Sequence, residues 1–158
     1  MDSERINRWL TLGANLGVLI GIILLVVELA QNREMMRAQI RNDISQQLTS
    51  RISMMANNPQ TASLKRRAEA GEELSADEEY QYFLLFVATF RDWENIHYQY
   101  RHEMFDESEF DAERSTWKFL INRNQAFERN WCLTRRNYSS MFVAEIEGLI
   151  HKEICKST

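Results

Sequence analysis

Glu94 and His97, in Glu94-Asn95-Ile96-His97, match the spacing E-x-x-H. On a helix that spacing sets both side chains on one face, as di-iron bundles require. Such a site needs a second E-x-x-H and further glutamates, but the residues three before His102 and His151 are Gln99 and Gly148. With that half missing, neither a metal nor a cofactor is expected. Glu94 instead reads as a carboxylate set within an apolar stripe, and a buried carboxylate needs a partner. Arg91, Arg101, Arg135 and Arg136 are the candidates, so a structural ion-pair network is expected here and not an acid–base catalyst. Cys132, beside Trp131, and Cys155 have neither metal-ligand spacing nor a histidine in catalytic order. They read as a buried thiol and a tail thiol. The chain contains no phosphate loop, nucleophile elbow or dinucleotide fingerprint. A non-enzymatic protein is expected. The enzyme reading would need a polar cleft at Glu94, His97 and Tyr98.

The elements that position these residues follow from composition and periodicity. The chain has 158 residues, 19 Lys+Arg against 23 Asp+Glu, five Gly and one Pro. So few turn formers argue against an all-β fold. A formal net charge of −4 argues against a nucleic-acid partner, and 44% hydrophobic residues argue against disorder.

A mean hydropathy of −0.46 hides one apolar outlier, Leu10–Val27. It carries no charge, and Asn15 is its one strongly polar side chain. Eighteen helical residues span roughly 27 Å, near the hydrocarbon thickness of a bilayer. Trp9 sits where an indole meets headgroups, and Glu28, Gln31, Asn32 and Arg33 mark the other end. Arg5 and Arg8 resemble a signal n-region, but the run is long for a signal peptide and no small-residue cleavage site follows. Residues 1–8 are therefore read as a short tail, 9–30 as a retained transmembrane helix, and 31–158 as a helical stalk and soluble bundle. Arg33, Arg37 and Arg41 after the span outnumber Arg5 and Arg8 before it. That count favours a cytoplasmic body over the opposite orientation.

Gly13, Gly17 and Gly21 form GxxxGxxxG inside the span, a seam that lets helices approach closely in lipid. No breaker occurs between Gly21 and Pro59. At about 100° per residue the glycine face continues through Leu24, Glu28, Gln31, Met35, Gln39, Asn42, Gln46, Thr49 and Ser53. An apolar stripe of Met36, Ile40, Ile44, Leu48, Ile52 and Met55 lies elsewhere on the helix. This predicts a two-faced helix whose stripe holds the rest of its own chain. Gly13, Gly17, Gly21, Leu24 and Glu28 would form an oligomer interface. Gln31, Gln39, Asn42 and Gln46 are candidates to line a shared axis.

Beyond the stalk, Pro59 suits the first position of a new helix, and Gly71 the stop of a helix over 61–70. Ser75 with Glu78 is a capping box for a helix over about 76–103, apolar on two sides and so the middle of a bundle. Asp106 or Ser108 would cap the next helix, bearing Phe110, Trp117, Phe119, Leu120 and Ile121. Helices over 124–136 and 140–154 would add Phe127, Trp131, Met141, Phe142, Ile146 and Ile150 to the core. The expected fold is all-α, a long N-terminal transmembrane and stalk helix continuing into an antiparallel helical bundle. Lys65-Arg66-Arg67 faces six acids between Glu69 and Glu79, which suggests a compensated, solvated surface.

Several of these segments together resemble a family of short bacterial proteins, common in marine proteobacteria, with one N-terminal transmembrane helix and no assigned activity. The segments are Glu28-Leu29-Ala30-Gln31-Asn32, Leu74-Ser75-Ala76-Asp77-Glu78, Trp93-Glu94-Asn95, Tyr98-Gln99-Tyr100-Arg101, Trp131 and Ser139-Ser140-Met141-Phe142. The resemblance implies a retained anchor in a bacterial inner membrane, a helical body, and a role for Trp93, Glu94 and Asn95. The functional expectation is a self-associating, membrane-anchored scaffold or interaction module. Its expected partners are copies of itself, membrane lipid, and another membrane protein. The alternative is a homo-oligomeric channel in which the glycine seam closes a ring and Glu28 with the amide face lines a path.

Overall fold

Residues 3–150 and 154–155 are described in a computed structural model of the chain. Six α-helices follow in order: α1 (Ser3–Ala56), α2 (Pro59–Glu69), α3 (Ala76–Arg101), α4 (Glu107–Arg123), α5 (Phe127–Thr134) and α6 (Ser140–Gly148). A 3-10 turn, Arg135–Asn137, joins the last two. There is no strand among the described residues, and the chain is all-α. Two compact units divide it, Met1–Ile40 and Arg41–Thr158.

The first unit is helical from Ser3, so residues 3–8 continue into the same helix as the apolar run. Nothing between Ser3 and Trp9 breaks a helix, and Glu4 in the first turn complements the positive end of the dipole. Every side chain from Leu10 to Val27 is exposed, and none of the apolar window is buried. The core helix of a soluble domain would bury this run. The chain therefore carries one long apolar N-terminal helix, a candidate membrane anchor.

The second unit begins with the last part of α1. Ile44 is buried there, Arg51 and Met55 are half-buried, and Leu48 and Ile52 are exposed. The predicted stripe is thus narrower than expected, because Arg51 takes a position on the covered face. Its guanidinium pairs with Asp92 of α3, and desolvation lowers its pKa. Arg41 pairs with Glu109 of α4 at 2.7 Å. Asn42, Gln46, Thr49 and Ser53, on the opposite side by helical spacing, are exposed.

The helix ends follow their sequence signals. The Asn58 side chain accepts the Thr61 N–H, and Pro59 opens α2. Gly71 takes φ +75°, the left-handed turn that glycine adopts without steric cost. Ser75 and Glu78 exchange both hydrogen bonds of the capping box. Asp106, not Ser108, caps α4 by accepting the Ser108 N–H.

α3 packs against α2, α4, α5 and α6. Its buried face is Tyr82, Phe86, Phe90, Trp93, Ile96 and His97, while Tyr80, Leu84 and Tyr98 are exposed. Around it lies an aromatic core. Trp93 stacks on Trp117 at 5.2 Å, and Trp131 stacks on Tyr138 at 5.5 Å. Phe142 meets both Trp117 and Trp131 edge-on, and Trp117, Trp131, Phe142 and Ile146 are fully enclosed.

Met141, expected in the core, is exposed, and so are Phe119 and Leu120 of α4. α4 turns Phe110, Trp117 and Ile121 inward, a spacing of seven and four that leaves 119 and 120 off the buried face. The helix expected over 124–136 is shorter, because Asn124 is extended and a 3-10 turn replaces the last residues. α6 ends at Gly148, shorter than the predicted 140–154 helix: Leu149, Ile150 and Ile154 are not helical, and residues 151–153 lie outside the described residues.

Candidate functional site: the glycine face and the Glu94 network

Gly13, Gly17 and Gly21 lie within α1, and a Cβ placed on any of them would meet nothing within 4 Å. A glycine costs a helix interior about 1 kcal/mol relative to alanine, and here no contact within the chain offsets it. Leu24, Glu28, Gln31, Gln39, Asn42 and Gln46 are likewise exposed. The face predicted for association is therefore open in the single chain.

Glu94 lies on α3 with its side chain 19% exposed, at the edge of the core and not within it. One carboxylate oxygen accepts from Arg91 at 2.7 Å. The other accepts the backbone N–H of Ser139, the N-cap residue of α6, at 2.7 Å. In a capping box a local glutamate fills that second role; here it comes from α3, 45 residues away, and ties α3 to the start of α6. The Ser139 side chain makes no capping bond of its own. Arg91 also stacks over the ring of Tyr138 at 4.7 Å, so the network runs Tyr138–Arg91–Glu94–Ser139. Burial is the main cause that raises the Tyr138 pKa.

Arg101 and Arg135 do not join it. Arg101 is exposed near the end of α3. Arg135 donates at 2.9 Å to Glu147, which also accepts from the indole N–H of Trp131 at 3.3 Å. The reason is reach: Arg135 opens the 3-10 turn and faces α6, where Glu147 stands one residue from the helix end. This second tie, from α5 to α6, leaves no signal in local spacing.

The E-x-x-H pair does not converge on a shared ligand. While Glu94 serves Arg91 and Ser139, His97 is buried between the rings of Phe110 (6.0 Å) and Phe142 (5.8 Å). Desolvation lowers its pKa, partly opposed by the charge of Glu145. Glu145 itself accepts from Arg114 at 2.6 Å. No group of three His, Cys, Asp or Glu side chains suited to a metal occurs among the described residues.

Two of the hollows elsewhere in the body differ sharply in size. A crevice of about 40 Å³, floored by Phe86, Phe90, Trp93 and Phe127, has room for little more than a water molecule. An open depression of about 500 Å³ lies beside the turn at Gly71. Its Glu72 and Glu79 are already paired with Arg67 and Arg129. Neither is lined by Glu94, His97 or Tyr98.

Cys132 of α5 and Cys155 form a disulfide, which corrects the reading of two separate thiols. The pair closes over 23 residues of sequence separation with a Cα–Cα distance of 5.3 Å. Two cysteines so placed show no spacing signature. Their proximity depends on the chain returning past α6 to α5.

No protein family, curated protein or solved structure matches the chain.

Proposed function

We propose that the chain is a non-enzymatic, single-pass membrane-anchored helical protein. It associates with copies of itself through the Gly13–Gly17–Gly21 face and presents its helical body as a scaffold or interaction module. The carrying observation is the exposed apolar run of α1, where a Cβ added to any of the three glycines would meet nothing within 4 Å. Such a run belongs in lipid, where close packing of small residues drives association in place of the hydrophobic effect. The sequence resemblance to anchored bacterial proteins supports an inner-membrane location. Copies of the chain and lipid are the partners this reading requires, with another membrane protein as the target of the scaffold.

The test is mass in native nanodiscs for wild type and Gly17→Leu. A defined wild-type oligomer that becomes a monomer in Gly17→Leu is expected. A monomer in both would end the seam reading. The channel version adds one requirement, a conductance in the verified oligomer that changes with Glu28→Gln.

A further inference from the structure

The chain has two cysteines, and they are bonded to each other. Disulfides persist in oxidising compartments, whereas the thiol pools of the cytosol keep ordinary cysteines reduced. Both cysteines are half-buried, not enclosed, so the bond is open to exchange with the surrounding thiol pool. Trp131, next to Cys132, is fully enclosed against Phe127, Tyr138 and Phe142. Position 132 is therefore fixed on a well-packed part of the body, and the bond secures Cys155 to it.

We infer that the body of the anchored chain lies in an oxidising compartment across the membrane from the cytosol, with the N-terminus cytosolic and Cys132–Cys155 as its structural cross-link. The inference rests on the membrane-anchor reading for its transmembrane arrangement. It reverses the orientation favoured by arginine counting. That preference was a single residue, three against two, and Arg41 already faces Glu109 at 2.7 Å. A disulfide joining both cysteines outweighs so small a bias. In forming the bond the two thiols lose two protons and two electrons. They pass to a disulfide-bearing oxidant by thiol–disulfide exchange, which is reduced to its dithiol.

The test uses the full chain expressed in a Gram-negative bacterium. Cells are quenched in acid, and thiols are labelled under denaturing conditions with a polyethylene-glycol maleimide, with and without prior reduction. Membranes are washed with carbonate in parallel. Full-chain fusions carry alkaline phosphatase or green fluorescent protein at the C-terminus. The expected result is no label before reduction, two labels after it, retention in the carbonate pellet, and an active phosphatase with a dark fluorescent fusion. Two labels without reduction, or a fluorescent fusion with inactive phosphatase, would overturn the inference while leaving the anchor intact. A disulfide-linked dimer on a non-reducing gel would overturn the intrachain pairing. Release of the chain by carbonate would overturn the anchor and the transmembrane arrangement with it, while the thiol assay would still report the compartment.

Discussion

Removing the Glu94 carboxylate separates three contributions that the structure places on one side chain. The ion pair with Arg91 is an i,i+3 contact with Arg91 half exposed, and contributes about 0.3–0.5 kcal/mol. The bond from the Ser139 N–H is charge-assisted at 2.7 Å, worth about 1.5 kcal/mol, the low end of its range because water can reach exposed Ser139. A negative charge at the start of α6 adds about 0.5 kcal/mol through the helix dipole. Glu94→Ala is therefore expected to cost about 2–3 kcal/mol. Glu94→Gln keeps an oxygen for Ser139 and is expected to cost about 1 kcal/mol. The assay is urea unfolding of the full chain in mild detergent, followed by tryptophan fluorescence. Trp93, Trp117 and Trp131 are buried and report the body, while Trp9 is 69% exposed and contributes a nearly constant signal. With a slope of about 1–3 kcal/mol per molar urea, Glu94→Ala should lower the midpoint by about 1–2 M. High salt should weaken the Arg91 term and leave most of the loss in place. Equal losses for alanine and glutamine would refute the claim that the acceptor to Ser139 matters more than the charge. No loss in either would remove the tie between α3 and α6.

Burial lowers the His97 pKa from its ordinary 6.5, so the folded body prefers the neutral ring. Unfolded chains then bind the extra proton first, and stability should fall as pH drops below about 6.5, until the folded form also protonates. His97→Phe should flatten that part of the urea midpoint-versus-pH curve, and an unchanged slope would assign the dependence elsewhere. Phe142→Ala, at a fully enclosed position against Trp117, Trp131 and Tyr138, should cost about 3–5 kcal/mol, which the same titration reads. Reduction of Cys132–Cys155 frees a closed loop of 23 residues' separation and should cost about 3 kcal/mol, seen as a lower urea midpoint with dithiothreitol present. A midpoint indifferent to reductant would mean that the loop is held by other contacts.

Helix ends and the inward face of α3 were legible because their causes are local. Asn58-Pro59, Ser75 with Glu78, and Gly71 each act within four residues, and each marks a boundary of the fold. Leu10–Val27 was legible as an outlier for the same reason: its length and lack of charge are properties of one segment. The partners of Glu94 were half legible. Arg91 is three residues away and was foreseen, whereas the Ser139 N–H depends on where α6 packs. Arg135, one of the candidate partners of Glu94, bonds Glu147 instead, a pairing that depends on the packing of α6 and not on local spacing. Periodicity over-assigns the core at Met141 because a hydrophobic side chain on a helix need not face its neighbours. The disulfide was missed for the strongest physical reason, since pairing is a statement about proximity and two cysteines in sequence carry none.

The construction of the body bears on how self-association would act. Arg41–Ala56 pairs with the other helices through Arg41 and Arg51 and buries Ile44, and its polar residues Asn42, Gln46, Thr49 and Ser53 are left exposed. Packing of the body thus uses one side of this segment and makes no demand on the other. A Cβ added at Gly13, Gly17 or Gly21 would likewise meet nothing within 4 Å. Association through the glycine side should therefore leave the stability of the body unchanged, since sites that share no partner contribute independently. Gly17→Leu should abolish the oligomer with the urea midpoint of the body unchanged at high dilution, and Glu94→Ala should lower that midpoint with the oligomer mass unchanged. Crossed effects, in which either substitution moves both readouts, would show that assembly and folding of the body are one equilibrium.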